Sequence, residues 1–509
     1  MLIRFLEKIF KGIKKLDKEV NDYKNIVKNP YIPSVAYVKW GIHLAESGDL
    51  ESAEEKFESS TLMVHQTPES YIHLGMLKAK EKKYDEAKEL YIKALRLDNN
   101  NAKAYCFLAN LYSETGDYEE AEKNFEEAIK LDKNNSDILL NWGISLVHRQ
   151  KFLEAKEKFQ KAYKFNIANY PILNFLGLVN IELGEMDKAK EQFEILLSVM
   201  PNHFEAHYYL GYIYYKEQKY QECIDEALKS LEIFNKKLET YMIIAESYMN
   251  LRNKEECLKY YELAEKECCL NYYFLISWGL SLQNFELYEE SKEIFQKAIE
   301  LDEENDLGFV SLGVSFLKLK DFDNAESLFK KVLELNPENI SALEGLGQIF
   351  FEKSDYDKAI EYFKAILKIS AKMVHNYEKI AQAYCLKGDF ELANEYFKKA
   401  LEYQPDEIEV YIGFARNFIA QKDYAQALKK LQSANKMDSE NIECLNLLFY
   451  VNYMLAKGSH SDYNMEKAIE IARKIEQNYP DKFNYPVEKQ ELESKLNSLD
   501  EKGNNQQDY

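Results

Sequence analysis

The sequence predicts an all-α solenoid, a line of stacked helix pairs, and three observations carry that prediction. Apolar residues recur at helical spacing in paired segments separated by short polar turns. The pattern repeats every 34 residues over twelve windows, from Ser34 to Asn441, without insertion or deletion. The same places of every window hold either a small or a large apolar side chain. One window cannot bury its own two apolar stripes, so each unit requires neighbours on both sides.

Asp306–Asn339 shows the unit most plainly. Its first helix carries Phe309, Leu312, Gly313 and Phe316 on one stripe; its second carries Phe322, Ala325, Phe329 and Val332 and ends at Leu335 before Asn336-Pro337. With Asp306 as place 1, windows open at Ser34, Pro68, Ala102, Ser136, Tyr170, Phe204, Leu238, Tyr272, Asp306, Ile340, Val374 and Ile408. Place 8 is glycine or alanine in all twelve, and place 7 is always large and apolar and takes all three tryptophans, Trp40, Trp142 and Trp278. Place 20 is small from Ala53 to Ala427, with Cys223, Cys257 and Ser291 as substitutes. Place 24 is aromatic in ten windows, Phe57 to Phe397, and falls to Ala227 and Leu431 in the other two. Small residues at places 8 and 20 let two helix backbones approach while the large ones fill the remaining volume. A glycine inside a helix costs roughly 0.5–1 kcal/mol against alanine, so eight of them at place 8 need a packing reason.

This pattern resembles the tetratricopeptide repeat, with its large-Leu-Gly-large first helix and small, aromatic, small and proline positions in the second. The resemblance covers residues 34–441, about four-fifths of the chain. It implies a right-handed superhelix of helix-turn-helix repeats whose concave wall is lined by the first helix of each pair.

Residues 1–33 precede the first window. Leu2, Phe5, Leu6, Ile9, Ile13 and Leu16 form an apolar face flanked by Arg4, Lys8, Lys11, Lys14, Lys15 and Lys18. The segment reads as a basic capping helix, because Leu16, Tyr23 and Ile26 fall on apolar places of a backward-extended window; the alternative is a helix that touches a membrane surface through residues 1–20. Charges interrupt every stretch that could serve as a secretory signal. Windows one to four are regular, with Gly48-Asp49 and Gly116-Asp117 turning the chain between helices. Windows nine to twelve return to the same pattern, closed by Pro337 and Pro405. A thirteenth copy over residues 442–482 departs from it: Phe449 stands at the small place, and Ala468 and Pro480 arrive seven residues late, which predicts about seven inserted residues near Lys457–Tyr463 and a longer turn. Residues 483–509 read as a C-terminal capping helix and a polar disordered tail.

Function is sought in the groove, because the repeat explains nearly every residue of catalytic potential. Places 2, 5, 9 and 12 of the first helix fall beside its packing face and are expected to look into the concave side. In windows five to nine this stripe is apolar and aromatic: Leu178 and Ile181; Tyr208, Tyr212 and Tyr215; Met242, Glu246 and Met249; Ile276, Leu280 and Gln283; Val310, Val314 and Leu317. Phe175 and Tyr209 at place 6 adjoin it. Such a run on a solvated wall predicts a surface for a peptide, a helix or a folded partner protein, with tyrosine as a favourable anchor. The alternative is that these side chains bury one another between repeats.

Relatives that grip acidic chaperone tails place lysine at place 5 and arginine at place 6 of particular windows. Here place 5 is never lysine and place 6 never arginine, and Lys103 and Asn110 share one window, so the resemblance does not extend to that activity. The asparagine ladder of O-linked N-acetylglucosamine transferases is likewise missing, with only Asn141 at place 6. The formal charge of −21 argues against nucleic acid or an anionic membrane as the main partner. Seven cysteines at unrelated places, Cys268-Cys269 among them, are expected to be reduced thiols in a cytoplasm. His203 and His207 have the spacing of a metal pair, but His207 occupies a core place. No phosphate loop, nucleophile elbow or zinc spacing occurs, so no cofactor and no enzymatic activity is expected.

Overall fold

The structure, a computed structural model, describes residues 34–63, 66–459, 461–479 and 482. The expectations for residues 1–33 and 483–509 lie outside the described residues. Among the described residues there are 26 helices and no strand. The chain divides after Cys268 into two compact units, each an all-α stack of helix pairs. The first holds windows one to seven and the second begins with the eighth.

Asp306–Lys318 and Phe322–Leu335, at places 1–13 and 17–30, set the spans that most windows share. The helices begin where side chains supply caps. Aspartates at place 16 (Asp49, Asp117, Asp321, Asp355, Asp423) accept from the backbone N–H three residues on. Asparagines at place 34 (Asn101, Asn135, Asn271, Asn305, Asn339) cap the next repeat's first helix in the same way, accepting from a backbone N–H two or three residues on.

Between the helices the chain reverses through one left-handed residue, always at place 15. Glycine takes it in four windows, Gly48 at φ 88° among them; in the other eight it is a side-chain-bearing residue such as Lys82, Gln218 or Lys320, with φ near 60°. A non-glycine residue there costs roughly 1–2 kcal/mol. Lys320→Gly is therefore expected to raise stability by about 0.5–1 kcal/mol after the entropy of the freed chain is subtracted. Urea unfolding of the two proteins checks this, and an unchanged or lower midpoint would contradict it.

The core explains the small places. A Cβ built on Gly75 would stand 2.6 Å from Tyr91 Cε1, and one on Gly313 would stand 2.8 Å from Phe329 Cε1. The aromatic ring at place 24 thus lies flat on the first helix where a side chain is absent. Four of these rings are covered from the other side by place 6 of the following repeat: Phe57 by His73, Tyr91 by Phe107, Phe159 by Phe175, and Phe193 by Tyr209, with centroids 5.4, 6.0, 5.5 and 5.6 Å apart. In the sixth window, where Ala227 replaces the ring, the backbones themselves close up, and a Cβ on Gly211 would meet Cys223 O at 3.2 Å.

The thirteenth pair differs from the expected longer turn. Its helices run Ile442–Ser459 (18 residues) and Asp462–Asn478 (17 residues), so the extra positions lengthen both helices and leave the connection short. Phe449, fully buried, packs with Tyr453, Met465, Ala468 and Ile469 where other repeats hold a glycine or an alanine.

Candidate partner-binding groove

The sixteen residues expected to line a groove fall into different environments. Phe175 and Tyr209 complete the inter-repeat ring stacks just described. They are half-buried, so part of each ring still faces outward. Ile276 is corrected: it is 4% exposed and belongs to the core of its unit, out of reach of a partner. Gln283 is committed internally, its Nε2 donating to Ser311 O at 2.8 Å and to Ser315 Oγ at 2.7 Å. Leu280 is 44% exposed, while Val310, Val314 and Leu317 are half-buried beside it in sequence order.

The tyrosines of the sixth window have a packing reason that the period alone conceals. With Ala227 at place 24 the two helix backbones close up, and Tyr208, Tyr212 and Tyr215 of the first helix pack against the cluster of Cys223, Ala227, Ile243 and Ile244. Tyr208 meets Tyr209 edge-on at 4.9 Å, and Lys237 Nζ stands 3.6 Å above the Tyr208 ring. Burial raises the Tyr208 hydroxyl pKa and lowers that of the Lys237 amine. Tyr215, raised first by burial and then by its neighbour Glu246, is also hydrogen-bonded to that carboxylate. Met242 and Met249 on the next first helix are half-buried.

An open cavity of about 520 Å³ lies between the fourth and fifth repeats. Ile144, Val147, Phe152, Phe175, Leu178 and Val179 give it apolar walls, and His148, Gln150 and Glu182 add the polar groups. Phe175 and Leu178 belong to the expected groove stripe; Ile144 and Val147, at places 9 and 12 of the fourth window, extend it one repeat further back. Ile181 packs on the core beside this cavity's walls.

The histidine pair is structural. His207 is buried, with Nδ1 2.7 Å from Glu226 Oε2 and Nε2 2.9 Å from Pro201 O. His203 Nδ1 accepts from Ala206 N–H as a helix cap. Both ring nitrogens of His207 are thereby occupied, and the two residues do not converge on a common point. All seven cysteines are free thiols, with Cys106 and Cys444 pushed up to about 12 chiefly by burial. Among the described residues no group of three metal-ligating side chains occurs, and no helix is long and apolar enough to cross a membrane.

Stacked helix pairs of this kind define a helical-repeat scaffold, a class that displays extended surfaces to other proteins. Tetratricopeptide-repeat models match residues 66–134, 106–171, 272–305, 310–373 and 386–448, more than half the chain between them, and the chain belongs to the tetratricopeptide-repeat family. Residues 187–264 match a model described as anaphase-promoting complex, cyclosome, subunit 3. Similar solved structures include yeast Tom70 (18% identity, 87% of this chain and 99% of that chain, TM-score 0.40) and the APC/C hetero-tetramer Cut9–Hcn1 (14%, 82% and 96%, TM-score 0.40). A crystal structure of MamA shares 26% identity over 31% of this chain and 94% of that chain, with a TM-score of 0.29. No curated protein matches the sequence.

Proposed function

We propose that the chain is a non-enzymatic scaffold that holds an extended peptide or a helix of another protein along the inner face of its repeats, in the cytoplasm. The observation that carries this reading is the 520 Å³ cavity on the first helices of the fourth and fifth repeats. Its volume suits one large apolar side chain and its neighbours, and its few polar groups would fix orientation. The walls are held rigid by the stack beneath, since Phe175 lies on buried Phe159. A preformed pocket spares a ligand part of the ordering cost of binding.

The test uses Leu178→Glu, which puts a charge into the cavity from a half-buried position. Wild type and variant serve as baits for affinity purification from the native cell, and circular dichroism first shows both equally helical. A partner bound through the cavity is lost with the variant, and its purified binding segment should weaken at least ten-fold in calorimetry. Identical partners and affinities for both proteins would refute the reading. Replacing Tyr208 is a poorer probe, because its removal would open the core of the sixth repeat. The alternative of a membrane-peripheral factor rests on residues 1–20, outside the described residues. Fractionation with and without that segment decides it.

A further inference from the structure

A second open cavity, of about 420 Å³, lies in the second unit and is lined by residues of the tenth to thirteenth repeats, and its chemistry differs from the first. Its walls combine Phe351, Leu386 and Ile412 with three carboxylates, Glu378, Glu409 and Glu443, and a single guanidinium, Arg416. Arg416 Nη2 is spent on Glu443 Oε1 at 2.7 Å. Glu378 is 8% exposed; its Oε1 accepts from Gln382 Nε2 at 2.6 Å and its Oε2 stands 3.4 Å from His375 Nδ1. Glu409 is exposed and forms no ion pair among the described residues; partial desolvation, with Glu443 and Glu378 nearby, holds its carboxyl above the usual range against the opposing pull of Arg416. The cavity is open beside Glu378 because place 6 is Gly413: a Cβ there would stand 2.9 Å from Phe397 Cε1 and 3.9 Å from Glu378 Oε1. Most other repeats put a side chain at this place.

We infer that this cavity receives a lysine or arginine side chain from the bound partner, with the cation between Glu378 and Glu409 and the aliphatic stem along Phe351, Leu386 and Ile412. Three carboxylates face one guanidinium already paired with Glu443. A further ammonium, Lys379 Nζ, stands 5.9 Å from the Phe351 ring and among the described residues makes no ion pair with Glu378 or Glu409, so a partner's basic group can supply the missing positive charge. The apolar stretch matches the methylene chain of such a residue. Neutral groups would not complete the site, because the buried Glu378 carboxylate gains most from an ammonium or guanidinium donor, with the exposed Glu409 at the mouth adding its charge. This assignment rests on the groove reading above and adds the partner's chemistry to it.

The probe is a library of random 12-residue peptides displayed on phage and selected on the full-length protein, with synthetic copies of the enriched peptides measured by fluorescence anisotropy. Enriched peptides should share a lysine or arginine whose change to glutamine weakens binding at least ten-fold. That loss should vanish when the protein carries Glu378→Gln and Glu409→Gln, which keep the Gln382 contact and the side-chain volume. Wild-type affinity should also fall at least ten-fold between 50 and 500 mM salt, a check that needs no variant. Peptides that respond to Leu178→Glu but not to the double glutamine variant would overturn this inference and leave the groove reading standing. Peptides that ignore both variants, or no enrichment at all, would overturn both.

Discussion

Phe329→Ala should cost about 3–5 kcal/mol, near the upper end for a buried phenylalanine. The ring is fully buried and lies between two glycines, Gly313 of its own repeat and Gly345 of the next. Neither has a side chain that could rotate into the space, so the cavity cannot close without moving a helix backbone. In a linear array each repeat contacts only its neighbours, so the loss should be local. Hydrogen exchange should open first in Asp306–Lys318, Phe322–Leu335 and Ile340–Glu352 while the first unit keeps its protection. The flanking glycines add a sign test. A Cβ on Gly345 would collide with the Phe329 ring, so Gly345→Ala alone should destabilise; in the Phe329→Ala background the same methyl enters the cavity and should stabilise. A loss below about 1.5 kcal/mol for Phe329→Ala, or the same sign for Gly345→Ala in both backgrounds, would contradict this account of place 8 and place 24.

That pairing was readable from the sequence because it is compositional: only glycine or alanine at one place and a ring at another repeat at a fixed period. Three features were not. The left-handed residue at place 15 is invisible where it is Lys82, Gln218 or Lys320, since those side chains do not announce positive φ. The cover of four of the rings by place 6 of the next repeat is also hidden, because that place varies from His73 to Phe107 to Gly345, and a period shows a face without showing what lies across it. The third is compensation. Ala227 is a deletion of volume on the second helix; the backbones close over it and the tyrosines pack beside it, so an aromatic cluster expected on a surface is in part core. The cavities themselves depend on how far neighbouring first helices splay and on Gly413, neither of which a helical wheel reports.

His73 gives the chain a pH dependence confined to its second repeat. The imidazole stacks on Phe57 at 5.4 Å with an interplanar angle of 16°, and burial, reinforced by nearby Lys103, holds its pKa at about 4 instead of 6.5. Its folded-state value is depressed, so the folded protein binds fewer protons than the unfolded chain between these limits. The stack's contribution is therefore complete above about pH 6.5 and declines as pH falls toward about 4. The difference sets a ceiling of about 3 kcal/mol, and solvent screening of the partly exposed ring brings the expected loss to ~1–2 kcal/mol. His73→Phe supplies the reference, since Phe107 and Phe175 occupy the same place in other repeats and stack there without titrating. Between pH 7 and pH 4.5, urea unfolding or hydrogen exchange over Pro68–Lys80 should show wild type losing ~1–2 kcal/mol more than the variant. Lys103→Met should shrink that gap, because removing the adjacent cation lets the ring accept a proton more readily. Parallel pH profiles for wild type and His73→Phe would mean that the ring is protonated in place without penalty, and that burial against Phe57 does not govern its charge.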